Sequence, residues 1–243
     1  MIRIRFHGRG GHGTKTASRV VGTAAFLSGY QAQDSPYYGA ERRGAAVVAY
    51  TRVDEAPILE RGAIDQPDLI VVADETLLDA ADAQVLSGQS TASAIFVNAQ
   101  DAGPLKENFG IAPPVVAVDL TTLTLEILGS ASALSSGLAA AAAAMSGIIV
   151  QEHFVAALRE EFAQLGLERE ETEKNVQVGV RVFEQISPVE IHAPSTGMEI
   201  EMATVSYENP LLSTPSVLHA GNAEARPTGT WRVERPVVDP DIC

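Results

Sequence analysis

The sequence predicts an α/β fold with three α/β/α layers around a Rossmann-like, mostly parallel sheet, followed by an extended C-terminal arm. Ile2, Ile4 and Phe6 alternate with arginines and lead through a glycine-rich turn into an amphipathic helix, a start typical of α/β proteins. Short continuous apolar runs such as residues 69–73 are typical of strands buried on both faces. The 243 residues, 46% of them hydrophobic, are enough for a sizeable core.

The elements are predicted in order along the chain. After the first strand, a helix at residues 14–28 has Val20, Val21, Ala24 and Leu27 on one face, and Gly29 follows its end. An extended piece at residues 30–33 is expected to break at residues 34–39. Further strands are predicted at residues 45–53, 69–73, 94–97 and 115–118. Helices are predicted near residues 76–86 and at residues 121–128, 131–149, 151–164 and 168–185, with a glycine- and proline-containing loop near residues 103–114.

The character of the chain changes near Ser187, so we predict one domain at residues 1–186 and an arm at residues 187–243. The arm holds seven of the 13 prolines and has no sustained apolar period. A disordered tail is the alternative, but Trp231 and the valines around it are apolar anchors that a solvated tail does not need.

Composition and charge exclude several classes of function. A net charge of −14 argues against nucleic-acid binding and against a polybasic membrane anchor. The alanine-rich segment Leu138 to Val150 is too short to span a bilayer, so it predicts a buried helix. The first residues enter a strand pattern without a signal peptide, and Cys243 is the only cysteine, so a cytoplasmic protein is expected.

The glycine-rich turn is the first candidate site. Its glycines permit a tight turn, and the following helix offers free N–H groups to an anion. Asp34 lies where a ribose-binding acid would be expected in a dinucleotide site. Lys15 is displaced by one position from the P-loop pattern, which rejects that assignment. The alternative is that the glycines only allow strand and helix to pack tightly. The candidate residues are Gly8, Arg9, Gly10, Gly11, His12, Gly13, Thr14 and Lys15.

Two further segments carry dense charge. The loop Tyr38 to Gly44 contains Glu41, Arg42 and Arg43 between two predicted strands, which favours a shaped loop over a solvated run. Asp74 and Glu75 follow the strand at residues 69–73, at the sheet edge where α/β proteins place function, although a helix N-cap with a first-turn acid explains them slightly better.

Taken together, these segments resemble the 2-oxoacid:acceptor oxidoreductase gamma family, which includes the gamma subunit of pyruvate:ferredoxin oxidoreductase. The resemblance runs from about residue 1 to 186 and is carried by residues 6–13, 15–18, 38–45 and 74–78 in the order and spacing of the family. Four linked motifs are more specific than a single G-x-G-x-x-G.

The resemblance implies a subunit without catalytic residues of its own. Such enzymes oxidatively decarboxylate a 2-oxoacid, with thiamine diphosphate and Mg²⁺ in alpha and beta subunits, [4Fe–4S] clusters, coenzyme A as acyl acceptor and ferredoxin as electron acceptor. The gamma domain is associated with assembly and with closing over the coenzyme A site. No cofactor is expected to be held by this chain alone.

The end of the arm has a resemblance of its own. Residues 228–238 are similar to the start of the delta subunit of the same enzymes, a two-cluster ferredoxin, in which Cys243 would be the first cluster ligand. Because one thiolate cannot hold a [4Fe–4S] cluster, Cys243 is a metal ligand only if the chain continues into a cluster motif; otherwise it is a free thiol. We favour a fused gamma–delta polypeptide cut at this point over a gamma subunit with a docking arm.

Three hypotheses follow. Arg9 and Lys15 contact an anion, which is a coenzyme A phosphate or a partner carboxylate; Tyr38, Glu41, Arg42 and Arg43 form an interface; and the arm with Trp231 wraps a partner. The alternatives are a stand-alone nucleotide-binding module that uses the turn and Asp34, and a purely structural scaffold.

Overall fold

The computed structural model describes residues 1–36, 45–131 and 133–191, with Pro36 described by its backbone only. The predicted interface residues Tyr38, Glu41, Arg42, Arg43 and Trp231, and the cluster-ligand candidate Cys243, lie outside the described residues.

The described part of the chain forms a six-stranded sheet in the order β2-β3-β1-β4-β5-β6. β3 runs antiparallel to both of its neighbours, and the other pairs are parallel, so five strands point one way. β4 and β5 are fully buried, as their continuous apolar runs predicted. The mostly parallel α/β class is therefore confirmed. The strands are β1 Ile2–Arg9, β2 Gln31–Pro36, β3 Ala46–Asp54, β4 Leu69–Val72, β5 Ala94–Asn98 and β6 Val115–Val118.

Two layers of helices cover one face of the sheet. α1 packs on β1, β2 and β3, and α4 packs on β4, while α5 and α6 lie over these two helices. Ser136 to Ser146 of α4 are all buried, because the helix is enclosed by the sheet and by other helices. The helices are α1 Thr14–Leu27, α2 Ala102–Asn108, α3 Leu120–Leu128, α4 Ser135–Ser146, α5 Gln151–Gln164 and α6 Arg169–Gln185.

The opposite face has a thinner cover. Ile70, Val72 and Ile95 pack there against Leu77, Val85 and other residues of the β4–β5 and β5–β6 connections. The predicted helix near residues 76–86 is wrong: the segment forms short 3-10 turns, at Glu75–Leu78 and Ala81–Ala83. Gln84 has a φ of 46°, which an α-helix cannot continue.

Two expected loops are ordered elements instead. The segment predicted as a loop near residues 103–114 includes most of α2. Asp101 caps this helix by accepting from Gly103 N, and Pro104 lies in its first turn, where the missing N–H costs no hydrogen bond. β2 continues through residues 34–36 because it is an edge strand, where proline is tolerated. Leu27, predicted to share one face of α1 with Val20, Val21 and Ala24, is 38% exposed, whereas the other three are buried.

None of the helices in the described part of the chain is both long and apolar enough to cross a membrane.

Candidate functional site

The glycine turn lies at the switch point of the sheet. β1 lies inside the sheet, with β3 and β2 on one side and β4, β5 and β6 on the other. Ligands of open α/β sheets bind outside the carboxyl ends of strands at such a point. Residues 10–13 connect β1 to α1 there, and Arg9, the last residue of β1, lies beside Asp74 at the end of β4.

The turn is tighter than the sequence suggested, because β1 extends through Gly8 and Arg9. Gly10 N donates to Ala45 O at 3.0 Å, and His12 N donates to Arg9 O at 3.0 Å. Gly11 and Gly13 have φ angles of 106° and 72°, in the left-handed region that favours glycine. Gly13 is the N-cap of α1, and no side chain caps that helix.

Two glycines of the turn are required by packing. A Cβ on Gly8 would lie 2.1 Å from Thr14 Oγ1, and a Cβ on Gly13 would lie 2.7 Å from Ser135 Cβ. A Cβ added to Gly11 would have no atom within 4 Å, so glycine is favoured there only by the backbone conformation. Gly8 and Gly13 therefore serve the tight packing that was the alternative to ligand binding.

Arg9 connects the two strands that border the switch point. Its Nε donates to Asp74 Oδ2 at 2.7 Å, and its Nη2 donates to Thr76 Oγ1 at 2.8 Å. Asp74 Oδ1 also accepts from Thr76 N at 3.0 Å, so its interpretation as an N-cap is confirmed, although for a 3-10 turn and not an α-helix. Burial alone would raise the pKa of Asp74, but hydrogen bonds from Thr76 and Arg9 lower it. Lys15 is exposed in the first turn of α1.

Two polar atoms of the turn stand out by their lack of partners. Among the residues that the structure describes, the buried side-chain atoms without a hydrogen-bond partner are His12 Nδ1 and Thr14 Oγ1. Buried polar groups are nearly always paired, so each such atom needs an explanation.

Asn98 is a structural residue of this edge that sequence reasoning missed. It is 8% exposed and lies at the end of β5. Its Nδ2 donates to Ala73 O and to Thr121 Oγ1, both at 3.0 Å, and its Oδ1 accepts from Leu120 N at 2.8 Å. It thus joins β4, β5 and the start of α3. The signal was a single polar residue closing the apolar run at residues 94–97.

Arg5 and His7 form a buried hydrogen-bonded pair that the sequence analysis did not predict. Both are buried on the face of β1 opposite α1, and Arg5 Nε donates to His7 Nε2 at 2.9 Å. The guanidinium also donates to carbonyl oxygens of Ile64 and Val85, each at 3.0 Å, and to Ser87 O. Burial, with the charge of Arg5, lowers the pKa of His7 to about 3. His7 is therefore neutral at physiological pH.

Asp34 is not brought to the turn. It lies exposed on β2, paired with Thr51 of β3, and β3 separates β2 from β1. The arrangement that a dinucleotide site needs, with the acidic strand next to β1, is absent from the described sheet. Within residues 1–36, 45–131 and 133–191, no group of three or more His, Cys, Asp or Glu side chains could hold a metal ion.

Comparison with known proteins identifies close relatives. The sequence model of the family described as pyruvate ferredoxin/flavodoxin oxidoreductase matches residues 3–185. The chain is 40% identical over 188 residues to the pyruvate/ketoisovalerate oxidoreductases common subunit gamma of Thermococcus litoralis, covering 76% of this chain and 97% of the relative.

Two solved structures have the same fold. The pyruvate oxidoreductase subunit PORC of Thermotoga maritima has a TM-score of 0.63 and 28% identity, covering 78% of this chain and 97% of that one. The 2-oxoglutarate:ferredoxin oxidoreductase of Magnetococcus marinus has a TM-score of 0.56 and 14% identity, covering 76% of this chain and 31% of that longer one, which is a likeness of fold alone.

Proposed function

The chain belongs to the pyruvate ferredoxin/flavodoxin oxidoreductase family, and on that premise we propose that it is the gamma subunit of a thiamine diphosphate- and iron–sulfur-dependent 2-oxoacid:ferredoxin oxidoreductase. In this proposal it supports assembly of the enzyme and contributes to the coenzyme A site. Alpha and beta subunits bind thiamine diphosphate and carry the catalytic residues.

The overall reaction sets what the subunit has to accommodate. A 2-oxoacid such as pyruvate loses CO2, its acyl group is transferred to the thiol of coenzyme A with release of a proton, and two electrons pass singly to two ferredoxins. Thiamine diphosphate supplies the carbanion chemistry and iron–sulfur clusters carry the electrons. The relative from Thermococcus litoralis is a common subunit of pyruvate and ketoisovalerate oxidoreductases, which supports a substrate pocket outside the gamma subunit.

The glycine turn at the switch point carries the proposed contact with coenzyme A. Arg9 and Lys15 place two cations beside the N-terminus of α1, where an anionic group is stabilised by about 0.3–1 kcal/mol. The phosphates of coenzyme A are anions of this kind. The Magnetococcus marinus enzyme, which shares the fold, holds coenzyme A and succinyl-CoA, and this agrees with the proposal.

The test uses the chain co-expressed with its catalytic subunits. Arg9→Ala combined with Lys15→Ala should raise the KM for coenzyme A or weaken assembly, because both cations border the same helix end. Arg181→Ala removes an exposed arginine of α6 and is the matched control, with both properties expected to be unchanged. If the double variant equals the wild type in both properties, the turn has no such role.

The loop at residues 38–44 is proposed to hold the subunits together. Glu41, Arg42 and Arg43 are expected to form ion pairs across an interface. Size-exclusion chromatography of the co-expressed subunits tests this with Arg42→Ala and Arg43→Ala, which should release the gamma chain. An intact complex would remove the loop from the interface.

The arm from residue 187 is proposed to lie on a partner surface and to lead toward a delta, ferredoxin-type region. The family match ends at residue 185, and Trp231 with nearby valines supplies apolar anchors. Amide exchange in the assembled enzyme tests this. Protection at residues 217–238 is expected, and uniformly fast exchange there would contradict a docked arm.

A further inference from the structure

β6 is an edge strand with the composition of an interior strand. All residues of Val115–Val118 are apolar. Val116 and Val118 pack against the core on the side of α1 and α4, and Val115 and Ala117 pack against the core on the opposite face of the sheet. Apolar residues at every position, with cover on both faces, are typical of a strand inside a parallel sheet. Within the described part of the chain, however, β6 has β5 as its only neighbour.

The two edges of the sheet differ in how they are protected. All residues of β4 and β5 are buried, whereas each residue of β6 is only partly buried, although the three strands are similarly apolar. At the opposite edge, β2 carries the charge of Asp34 and ends at Pro36. Charged residues and prolines at an edge discourage pairing with another chain. β6 contains neither, so its edge can accept a further strand.

The hydrogen bonds to β5 show which backbone groups of β6 point outward. Ile95 N donates to Pro114 O at 2.9 Å, and Ile95 pairs with Val115 in the parallel register. In a parallel ladder, alternate residues of a strand direct both their N–H and their C=O to the same neighbour, and here the even-numbered residues direct them to β5. The N–H and C=O groups of Val115 and Ala117 therefore point away from the sheet.

We propose that β6 pairs with β6 of a second copy of this chain, antiparallel and across a twofold axis at Val116. In this register Val115 of one copy lies opposite Ala117 of the other, and the two residues exchange both of their outward hydrogen bonds. The axis repeats the exchange, so every outward N–H and C=O of these residues is paired. Such an interface is closed, because the same surface is used on both copies.

The charge of the chain favours a second copy at this edge. With a net charge of −14, two copies repel each other over most of their surfaces. Between Glu107 and Glu152, however, the sequence has only two charged residues, Asp119 and Glu126. This stretch contains β6 and the following helix α3, in which Leu125 is 55% exposed. β6 and α3 therefore present little like charge, and some exposed apolar surface, to a second copy.

The pairing goes beyond the proposed function and does not involve the glycine turn. β4 and β5 separate β6 from β1, which leads into that turn. A dimer through β6 joins two gamma subunits, and through them two assembled enzymes, by one continuous sheet. Variants of Arg9 and Lys15 should therefore leave the dimer intact, whatever their effect on the KM for coenzyme A.

Sedimentation equilibrium of the full chain over a range of concentrations tests the dimer. The mass should rise from 25.6 kDa toward twice that value. Ala117→Pro removes one outward N–H from each copy and keeps the hydrogen bonds to β5, since proline is tolerated at a sheet edge. The dimer then loses two hydrogen bonds, so its dissociation constant should rise about thirtyfold, which corresponds to about 2 kcal/mol. Ala117→Ser keeps the N–H and is the control, expected to dimerise like the wild type.

A disulfide tests the register and does not depend on how well the proline variant folds. In a Cys243→Ser background, which has no other cysteine, Val116→Cys places two thiols opposite each other at the axis. Their Cα atoms are then about 4.5 Å apart, within the range of a disulfide. Mild oxidation should therefore give a covalent dimer. Val118→Cys is the matched control on the same face of β6, and its copy lies about 13 Å away along the strands, so it should not cross-link.

The proposal is overturned if the full chain keeps a mass of 25.6 kDa at every concentration. A dimer of unchanged affinity in a folded Ala117→Pro chain, with circular dichroism equal to that of the wild type, would place the interface on another surface. Cross-linking of Val118→Cys as readily as of Val116→Cys would exclude the register. Protection of the Val115 and Ala117 amides from exchange only in the assembled enzyme would assign the edge to a strand of another subunit instead.

Discussion

At the scale of single residues, the most unusual pair is Arg5 with His7, a cation and an imidazole that are both buried. The guanidinium donates hydrogen bonds to carbonyl oxygens in the connections that follow β3 and β4. Because His7 Nε2 accepts from Arg5 Nε, protonation of His7 would place two positive charges together in a dry site. The pair fixes these connections against β1, and it requires a neutral imidazole.

This arrangement predicts a specific loss of stability in acid. The pKa of His7 is lowered to about 3 in the folded chain, so between pH 6.5 and 3 the unfolded chain binds one proton more than the folded chain. The free energy of unfolding therefore falls with decreasing pH, by up to about 1.4 kcal/mol per pH unit. His7→Gln keeps an acceptor for Arg5 and does not titrate. Urea unfolding should show the wild type losing about 2 kcal/mol relative to the variant between pH 7 and pH 5. Parallel pH profiles would contradict this.

The ion pair between Arg9 and Asp74 makes a second prediction at this scale. Arg9 is 33% and Asp74 20% exposed, so solvent screens the pair and we expect a coupling of about 0.5–1 kcal/mol. A double-mutant cycle with Arg9→Met and Asp74→Asn measures it. The coupling should decline in high salt, and it should be lost below the lowered pKa of Asp74, where the carboxylate is protonated. A coupling that does not depend on salt would mean that packing, not charge, joins the two residues.

The residues of the site were only partly predictable from sequence. Asp74 was recognisable as an N-cap because it follows an apolar strand, but its ion pair with Arg9 depends on β4 lying next to β1. Asn98 gave a weak signal, and its three partner residues become apparent only when β4, β5 and α3 are assembled. Contacts between segments distant in sequence leave no local pattern, whereas caps and turns do.

At the scale of elements, prediction succeeded where one local rule governed the segment. α5 begins and ends at the predicted residues because its apolar positions recur at helical spacing. β4 and β5 were recognisable from apolar runs. α2 was missed because a glycine and a proline in its first turn were taken as loop signals. The helix predicted near residues 76–86 was wrong because the segment forms short 3-10 turns and Gln84 has a φ of 46°.

Two glycines inside helices give a matched prediction. A Cβ on Gly22 of α1 would have Asp34 Cβ at 3.8 Å as its nearest neighbour, an ordinary contact. Gly22→Ala should therefore stabilise the fold by about 0.5–1 kcal/mol, the difference in helix propensity. A Cβ on Gly179 of α6 would lie 2.8 Å from Leu158 Cδ1 and 3.0 Å from Phe154 Cε1. Gly179→Ala should cost about 1–3 kcal/mol by overpacking.

Thermal and urea unfolding of both variants measure these effects. Because the substitution is the same in each case, changes of opposite sign in the free energy of unfolding separate the effect of packing from that of helix propensity. Stabilisation by both substitutions would mean that α5 and α6 can separate enough to admit a methyl group. Destabilisation by Gly22→Ala would instead place α1 closer to β2 than the structure shows.

At the scale of the whole molecule, the domain boundary predicted at residue 186 can be tested by measuring the stability of truncated chains. Val189 N donates to Met145 O at 3.0 Å, and Val189 and Ile191 pack against the core. The described fold therefore uses residues beyond 186. A chain ending at residue 191 should keep the free energy of unfolding of the full chain, since the Thermococcus litoralis relative, covered over 97% of its length, aligns over only 188 residues. A chain ending at residue 186 should be less stable by about 1–3 kcal/mol, for the apolar area and the hydrogen bond that it loses. Equal stability of both truncated chains would restore the boundary to residue 186, and a large loss in the longer one would make the arm part of the folded unit.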